Sequence, residues 1–204
     1  SKETAHQLGT PISSLMAWLE LLKQQEFDNE IVTEINKDVT RLQTIAERFS
    51  KIGSAPNLSP HQLYDTIQKS VDYIKVRTSP TVSFYIHCPQ KDIITPLNLA
   101  LFEWVIENIC KNAIDAMQGV GSLSIYITAQ TPWVHIDIED SGKGVPRNKF
   151  KTIFKPGYTT KQRGWGLGLS LAKRIIEEYH NGKIYVKSSE LTKGTTIRIS
   201  LPLS

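Results

Sequence analysis

Apolar residues in the first quarter of the chain return at helical intervals. Leu8, Ile12, Leu15, Leu19 and Leu22 are spaced 4, 3, 4 and 3 residues apart; after a polar break at Asp28-Asn29-Glu30, Val32, Ile35, Val39, Leu42, Ala46 and Phe49 repeat at 3, 4, 3, 4 and 3. Heptad spacing predicts two helices with an apolar seam each, and the short break sets them antiparallel. Met16, Trp18 and Leu21 widen the apolar face beyond what one hairpin hides, so residues 1–53 are expected to form a homodimer closing a four-helix bundle. The alternative is a hairpin packed on its own second domain. Gly, Pro, Ser and Asn then interrupt the period, so residues 54–60 read as a linker and 61–204 as a second domain.

Beyond the linker the pattern changes. Ser59 as N-cap and Pro60 at the first helical position predict a helix to about Tyr73. A strand follows over Val82–His87, and Pro96 begins a long helix through Met117 that ends at Gln118-Gly119-Val120-Gly121. Leu123–Ala129 and Trp133–Glu139 read as a hairpin across Gln130-Thr131-Pro132. A glycine-rich basic stretch leads into a helix from about Leu167 to Tyr179, stopped by His180-Asn181-Gly182, and strands Lys183–Ser188 and Thr196–Leu201 close the chain. Helices mixed with antiparallel hairpins predict an α+β fold whose second domain is a mixed sheet covered on one face by helices.

Composition narrows the class. With 204 residues, 40% apolar side chains, 12 Gly and 10 Pro, the chain is long enough to bury a sizeable core and is neither fibrous nor disordered. Cys88 and Cys110 match no metal-ligand spacing and are too few for a disulfide framework, and no run of about 18 apolar residues exists to span a bilayer. The expectation is a cytoplasmic fragment that starts inside a helix at Ser1-Lys2-Glu3. Any inner-membrane anchor would belong to an upstream region.

Charge is unevenly spread. From Ser141 to Ile176 there are nine Lys or Arg and no Asp or Glu, leaving 15 basic against 20 acidic groups elsewhere. One basic segment on an acidic body points to a compact anion such as phosphate. A solvated loop is the simpler alternative, and a nucleic acid partner, which would meet an extended basic surface, is not expected.

Within that frame a few residues carry chemistry. Val134, Ile136 and Ile138 alternate onto the buried face of a strand, and counting on by two places Asp140 on the same face. An inward carboxylate wants a hydrogen-bond donor, either its own turn or a ligand that Gly142 and Gly144 allow to approach. Asn108 and Asn112 stack one turn apart near Glu107, Lys111 and Asp115; their amide oxygens suit Mg²⁺ or simply face water. Gly164-Trp165-Gly166-Leu167-Gly168-Leu169 is glycine-rich at a helix entrance, a setting that favours phosphate, but it lacks the strand of a dinucleotide fingerprint. His6 precedes Pro11, which removes the N–H that would bond the carbonyl of Gln7, so the helix is expected to distort beside an imidazole able to act as a nucleophile. The other four histidines, His61, His87, His135 and His180, read as surface residues.

Together these segments resemble a sensor histidine kinase over essentially the whole chain. Ala5-His6-Gln7-Leu8-Gly9-Thr10-Pro11 is similar to the family's H-box, Asn108-Ile109-Cys110-Lys111-Asn112-Ala113 to its N-box and Asp140-Ser141-Gly142-Lys143-Gly144 to its G1 box. Phe154 to Lys161 resembles the F-box, Gly164 to Leu169 the G2 box, and Gly194-Thr195-Thr196 the closing glycine-threonine motif.

The resemblance implies a dimerisation and histidine-phosphotransfer domain followed by a Bergerat-type ATP-binding domain. It implies that Asp140 accepts the adenine amino group with support from Thr195, and that Asn112, assisted by Asn108, coordinates Mg²⁺. Lys161, Arg163 and the backbone of Gly166 and Gly168 would hold the triphosphate. Asp115, Gly142, Gly144, Tyr158, Thr160, Gly164, Leu167 and Leu169 are expected to complete the ATP site. His6 would take the γ-phosphoryl group and pass it to an aspartate in the receiver domain of a response regulator. Thr10 matches the position that orients water for dephosphorylating that regulator. Gln7 stands where relatives carry an acid; it can orient the ring but cannot accept a proton. The competing reading is a nucleotide-binding pseudokinase scaffold or a phosphatase-only protein.

Overall fold

The chain order in the computed structural model, which describes residues 57–160 and 166–203, is β1 (Ser59–Gln62), α1 (Leu63–Lys75), β2 (Val82–His87), β3 (Ile94–Leu97), α2 (Leu99–Ala116), β4 (Gly121–Gln130), β5 (Trp133–Asp140), α3 (Gly168–Arg174), β6 (Lys183–Glu190) and β7 (Gly194–Pro202). Two short 3-10 turns, Arg147–Lys149 and Thr152–Phe154, lie between β5 and α3. The chain divides into two compact units, Ser1–Pro56 and Asn57–Ser204. The described residues belong to the second. The heptad hairpin, its dimer seam and His6, Gln7 and Thr10 lie outside them.

Among the described residues the main sheet has five strands in the order β2-β4-β5-β7-β6. β2 and β4 run parallel and the other neighbours antiparallel, so the sheet is mixed as the sequence predicts. The β4–β5 hairpin turns at Thr131-Pro132, with Leu123 opposite Asp140 and Gln130 opposite Trp133. Val134, Ile136 and Ile138 share one face of β5 with Ile197, Ile199 and Leu201 of β7, and all are buried. Against that face packs α2, whose Leu101, Val105, Ile109 and Ala113 are buried as their spacing predicts, along with Phe102 and Ile106. Burying each large side chain contributes about 1.5–3 kcal/mol, so this seam fixes α2 against the sheet.

Two predicted helix starts are strands instead. Ser59 and Pro60 belong to β1, which pairs antiparallel with β3, and α1 begins only at Leu63. Pro96 sits in β3 directly opposite Pro60. Neither proline has an N–H to donate, so the two occupy a pair that exchanges no hydrogen bonds, on a two-stranded sheet that tolerates them. The long helix starts instead after Asn98, whose side chain accepts the Leu101 N–H at 3.2 Å as an N-cap.

The helix expected from Leu167 to Tyr179 is α-helical only over Gly168–Arg174 and continues as a π turn over Ile175–Tyr179. His180 ends it and is no surface residue: it is 1% exposed. Its Nδ1 pairs with the Ile175 carbonyl at 2.9 Å and its Nε2 with the Asn98 N–H at 3.1 Å. The ring therefore donates from Nδ1 and accepts at Nε2, joining the end of the π turn to the N-cap of α2. His135 is half-buried and bonds Ser200 at 2.8 Å, a second departure from the surface reading.

Candidate functional site

Asp140 ends β5 on the helix-covered face of the sheet, where the alternation places it, and is 8% exposed. Its Oδ1 accepts the Gly142 N–H at 2.8 Å, and the Thr195 N–H bonds the same carboxylate from β7. Burial raises its pKa above the ordinary carboxylate value, the two N–H bonds offset part of that, and Glu139 adds to the rise. Of the two local readings of this residue, the structure shows the first: it caps its own turn through Gly142.

The turn after Asp140 is fastened on two sides. Towards the end of α2 and the start of β4, the Lys143 N–H bonds the Ala116 carbonyl at 3.1 Å, and Ser141 Oγ accepts the Ser122 N–H at 2.9 Å. Towards the β6–β7 turn, the Thr192 N–H bonds the Lys143 carbonyl at 2.9 Å. Gly144 has φ +74° and its backbone lies so close to the Glu190 carbonyl that a Cβ would collide with it. Glycine is required there both for the left-handed backbone and for the space.

The next segment is anchored by Ile153 and Phe154, both buried, and runs out through Gly157, Tyr158 and Thr160. Tyr158 is half-buried and Thr160 exposed; Lys143 Nζ donates to Thr160 Oγ1 at 3.3 Å, tying this segment to the Asp140 turn. The Gly157 N–H meets the Gly166 carbonyl at 3.1 Å, so the chain on either side of residues 161–165 is pinned together. Lys161, Arg163 and Gly164 lie outside the described residues.

Gly166, Leu167, Gly168 and Leu169 lead into α3, where the Leu167 carbonyl accepts the Leu171 N–H at 3.0 Å and the Ser170 hydroxyl at 2.9 Å. Gly168 presses on Asn108: a Cβ on it would meet the Asn108 amide. The Asn108 Nδ2 is buried without a hydrogen-bond partner, while Asn112 one turn on is half-buried. An orphaned buried N–H donor next to a glycine loop is costly in isolation, and it suits a hydrogen-bond acceptor such as a phosphate oxygen that enters between α2 and α3. Among the described residues no group of three His, Cys, Asp or Glu could hold a metal. The side-chain amide oxygens of Asn108 and Asn112, rather than the orphaned Nδ2, are of the chemistry that Mg²⁺ takes when it uses few protein ligands and completes its shell with water and phosphate.

The structure thus brings Asp140, Gly142, Gly144 and Thr195 together at the ends of β5 and β7, and Asn108 together with Gly168 where α2 meets α3. Asp115 is exposed and lines a cavity of about 280 Å³ between α1 and α2, with Tyr73, Ile74, Arg77, Lys111 and Ile114. The sequence reading missed Ser189. It sits beyond a bulge between Val186 and Ser188, and its hydroxyl reaches the Val145 N–H at 2.7 Å and both Gly194 O and Thr195 Oγ1 at 2.9 Å. Period-two counting gives no signal for it, because the bulge resets the alternation.

Known proteins share this fold. Residues 99–204 match the family described as histidine kinase-, DNA gyrase B-, and HSP90-like ATPase. The chain is 29% identical over 213 residues to sporulation kinase A of Bacillus subtilis, covering 97% of this chain and 33% of that protein. It is 29% identical over 218 residues to sensor protein kinase WalK of Staphylococcus aureus, covering 97% of this chain and 35% of that one. It thus spans about a third of the length of these relatives. The solved catalytic domain of histidine kinase ThkA superposes with a TM-score of 0.64 at 25% identity, over 72% of this chain and 95% of that one. Full-length ShkA in complex with AMPPNP shares the fold over 99% of this chain and 45% of that one, with a TM-score of 0.78 at 20% identity. ThkA in complex with the response regulator TrrA does so over 99% and 60%, with a TM-score of 0.70 at 22% identity. With its inward carboxylate, paired helical asparagines and glycine loops in this order, the chain belongs to the histidine kinase-, DNA gyrase B- and HSP90-like ATPase family and carries a catalytic domain of the histidine kinase kind.

Proposed function

We propose that this chain is an ATP-dependent histidine kinase that phosphorylates His6 and hands the phosphoryl group to an aspartate of a response regulator. The observation that carries the reading is the buried carboxylate of Asp140 at the end of β5, an acceptor suited to the amino group of adenine. Thr195 supports it from β7 through its N–H. The ShkA complex with AMPPNP and the ThkA complex with a response regulator are statements about those proteins; they support an adenine nucleotide and a receiver domain as the partners here.

In this reading Asn112 and Asn108 hold Mg²⁺, which supplies neutralisation of the triphosphate charge when bound. Lys161, Arg163 and the backbone of Gly166 and Gly168 orient the phosphates. The His6 imidazole attacks the γ-phosphorus, the bond to the β–γ bridging oxygen breaks, and ADP leaves. Phosphoryl transfer of this type is governed by positioning and charge neutralisation, the roles this reading gives to the glycine backbone, the asparagine amides and the two cations. Asn108 cannot take a proton from water, so attack by water is disfavoured relative to attack by histidine. The test is incubation of the chain with γ-labelled ATP and Mg²⁺: label is expected on the wild-type protein and not on His6→Gln. Label retained on His6→Gln would reject His6 as the acceptor.

The pseudokinase or phosphatase-only reading rests on Gln7, which lacks the proton-accepting group expected beside the histidine. It predicts nucleotide binding with no label on His6, so the same experiment separates the two.

A further inference from the structure

Ser189 stands outside every segment that the family resemblance assigns, yet its hydroxyl joins two of them. From one side it accepts the Val145 N–H at 2.7 Å, one residue beyond Gly144. On the other it lies 2.9 Å from the Gly194 carbonyl and 2.9 Å from Thr195 Oγ1 at the start of β7. One hydroxyl has a single hydrogen and two lone pairs. With Val145 donating, the remaining capacity suffices for a bond to Gly194 or Thr195 and one from Thr195, so the group is fully used.

The local fold explains how it gets there. The bulge between Val186 and Ser188 shifts the β6–β7 register so that Ser189 pairs with Thr195, while Asp140 pairs with Thr195 from the other side of β7. Bulges of this kind re-aim a side chain. Thr195 is thereby flanked by Ser189 on β6 and Asp140 on β5, and its N–H bonds the Asp140 carboxylate. The other links between the β6–β7 turn and the Asp140 loop are made by backbone: Thr192 N–H to the Lys143 carbonyl, and the close approach of Gly144 to Glu190. Among these links Ser189 is the side chain that substitution can remove.

We infer that Ser189 is a positioning residue for purine selection: by bonding Val145 and Thr195 at once, it fixes the Asp140 carboxylate where it distinguishes a base bearing a 6-amino group from one without it. The inference rests on the proposed role of Asp140 and adds to it a residue that touches no ligand. Removing the hydroxyl leaves the Val145 N–H unpaired and frees Thr195 to shift, so the carboxylate loses its register with the base.

The experiment compares binding of ATP and of purine riboside 5′-triphosphate, which lacks the 6-amino group, to the full chain by calorimetry. The wild type is expected to prefer ATP. In Ser189→Ala the preference should shrink about tenfold, about 1.4 kcal/mol, through weaker ATP binding with unchanged binding of the analogue. Ser189→Thr, which keeps the hydroxyl, should restore it. A wild type that does not discriminate between the two nucleotides rejects the Asp140 reading itself. A wild type that discriminates, with Ser189→Ala discriminating equally well, overturns the role of Ser189 alone, as does equal weakening of both nucleotides. Amide hydrogen exchange on the wild type keeps the proposal testable should Ser189→Ala fail to fold: the Val145 N–H should be protected, and further protected by ATP but not by the analogue. Free exchange at Val145 in both states overturns it.

Discussion

Asp137 and Arg198 lie directly opposite each other on β5 and β7, and the guanidinium donates two parallel hydrogen bonds to the carboxylate, Nε to Oδ1 at 2.6 Å and Nη2 to Oδ2 at 2.7 Å. They occupy the sheet face away from the one that Asp140 shares with the core, and Lys187 from β6 adds a third bond to Oδ2 at 2.7 Å. Burial alone would raise the Asp137 pKa, but the bonds and charges of Arg198 and Lys187 outweigh it and hold the carboxyl below the ordinary value. A carboxyl depressed in the fold contributes stability that is present above its unfolded pKa, about 3.9, and is lost as pH falls through its folded value. Asp137→Ala is therefore expected to lower stability by about 2 kcal/mol at pH 7, the share of the half-exposed Lys187 being discounted for solvent screening. It should also remove part of the acid-induced fall in Tm below about pH 4. Thermal denaturation from pH 2 to 7 of both proteins measures the difference.

Asp140 is expected to behave in the opposite sense. Its pKa is raised in the fold, chiefly by burial, so the group favours the native state most below its unfolded pKa and loses that contribution as pH rises through the folded value. Asp140→Asn should therefore leave Tm at pH 7 unchanged or slightly higher while reducing ATP affinity at least tenfold. A variant that loses stability and binding together would mark Asp140 as structural. Calorimetric titration with ATP alongside thermal melts separates these outcomes.

His180 gives a third pH signature. Burial lowers its pKa, against the pull of its bonds to Ile175 and Asn98. Protonation would turn Nε2 from an acceptor into a donor facing the Asn98 N–H. Its contribution is present above about pH 6.5, the unfolded value, and is lost as pH falls through the folded one. His180→Ala should cost about 3 kcal/mol at pH 7, from the cavity and the orphaned N–H, and should flatten the stability profile below about pH 6.5. Chemical denaturation at several pH values reads both effects.

Gly168→Ala tests the contact between α2 and α3. Its methyl group must displace the Asn108 amide, so overpacking should cost about 1–3 kcal/mol and weaken ATP binding. The paired change Gly168→Ala with Asn108→Gly should recover most of the stability and none of the binding. Denaturant melts and nucleotide titration on the single and double variants complete the cycle.

The H-box substitutions have separable outcomes. Gln7→Glu restores an acid beside His6 and should raise the rate of His6 labelling, read by phosphorimaging over time. Thr10→Ala should spare labelling while slowing dephosphorylation of the regulator, followed as loss of label from the phosphorylated receiver domain.

Where the sequence could be read, periodicity carried the information. The alternation of Val134, Ile136 and Ile138 fixed the face of Asp140, and the spacing of Leu101, Val105, Ile109 and Ala113 fixed the buried side of α2. What was missed depends on partners distant in the chain. Ser59-Pro60 has the local signature of a helix start and becomes a strand because Ile94–Leu97 lies beside it. His180 has no burial signal of its own; the group that satisfies its Nε2 is the backbone of Asn98, 82 residues earlier. Ser189 is concealed by a bulge, which no alternation rule anticipates.

That bulge also bears on how the molecule keeps to itself. Among the described residues β6 is an outermost strand of the five, and such a border is a template for stacking one chain on another. The kink between Val186 and Ser188 breaks the regular repeat of that border. A neighbouring strand would lose pairing halfway, so the irregularity that aims Ser189 also works against ribbon-like stacking at this border.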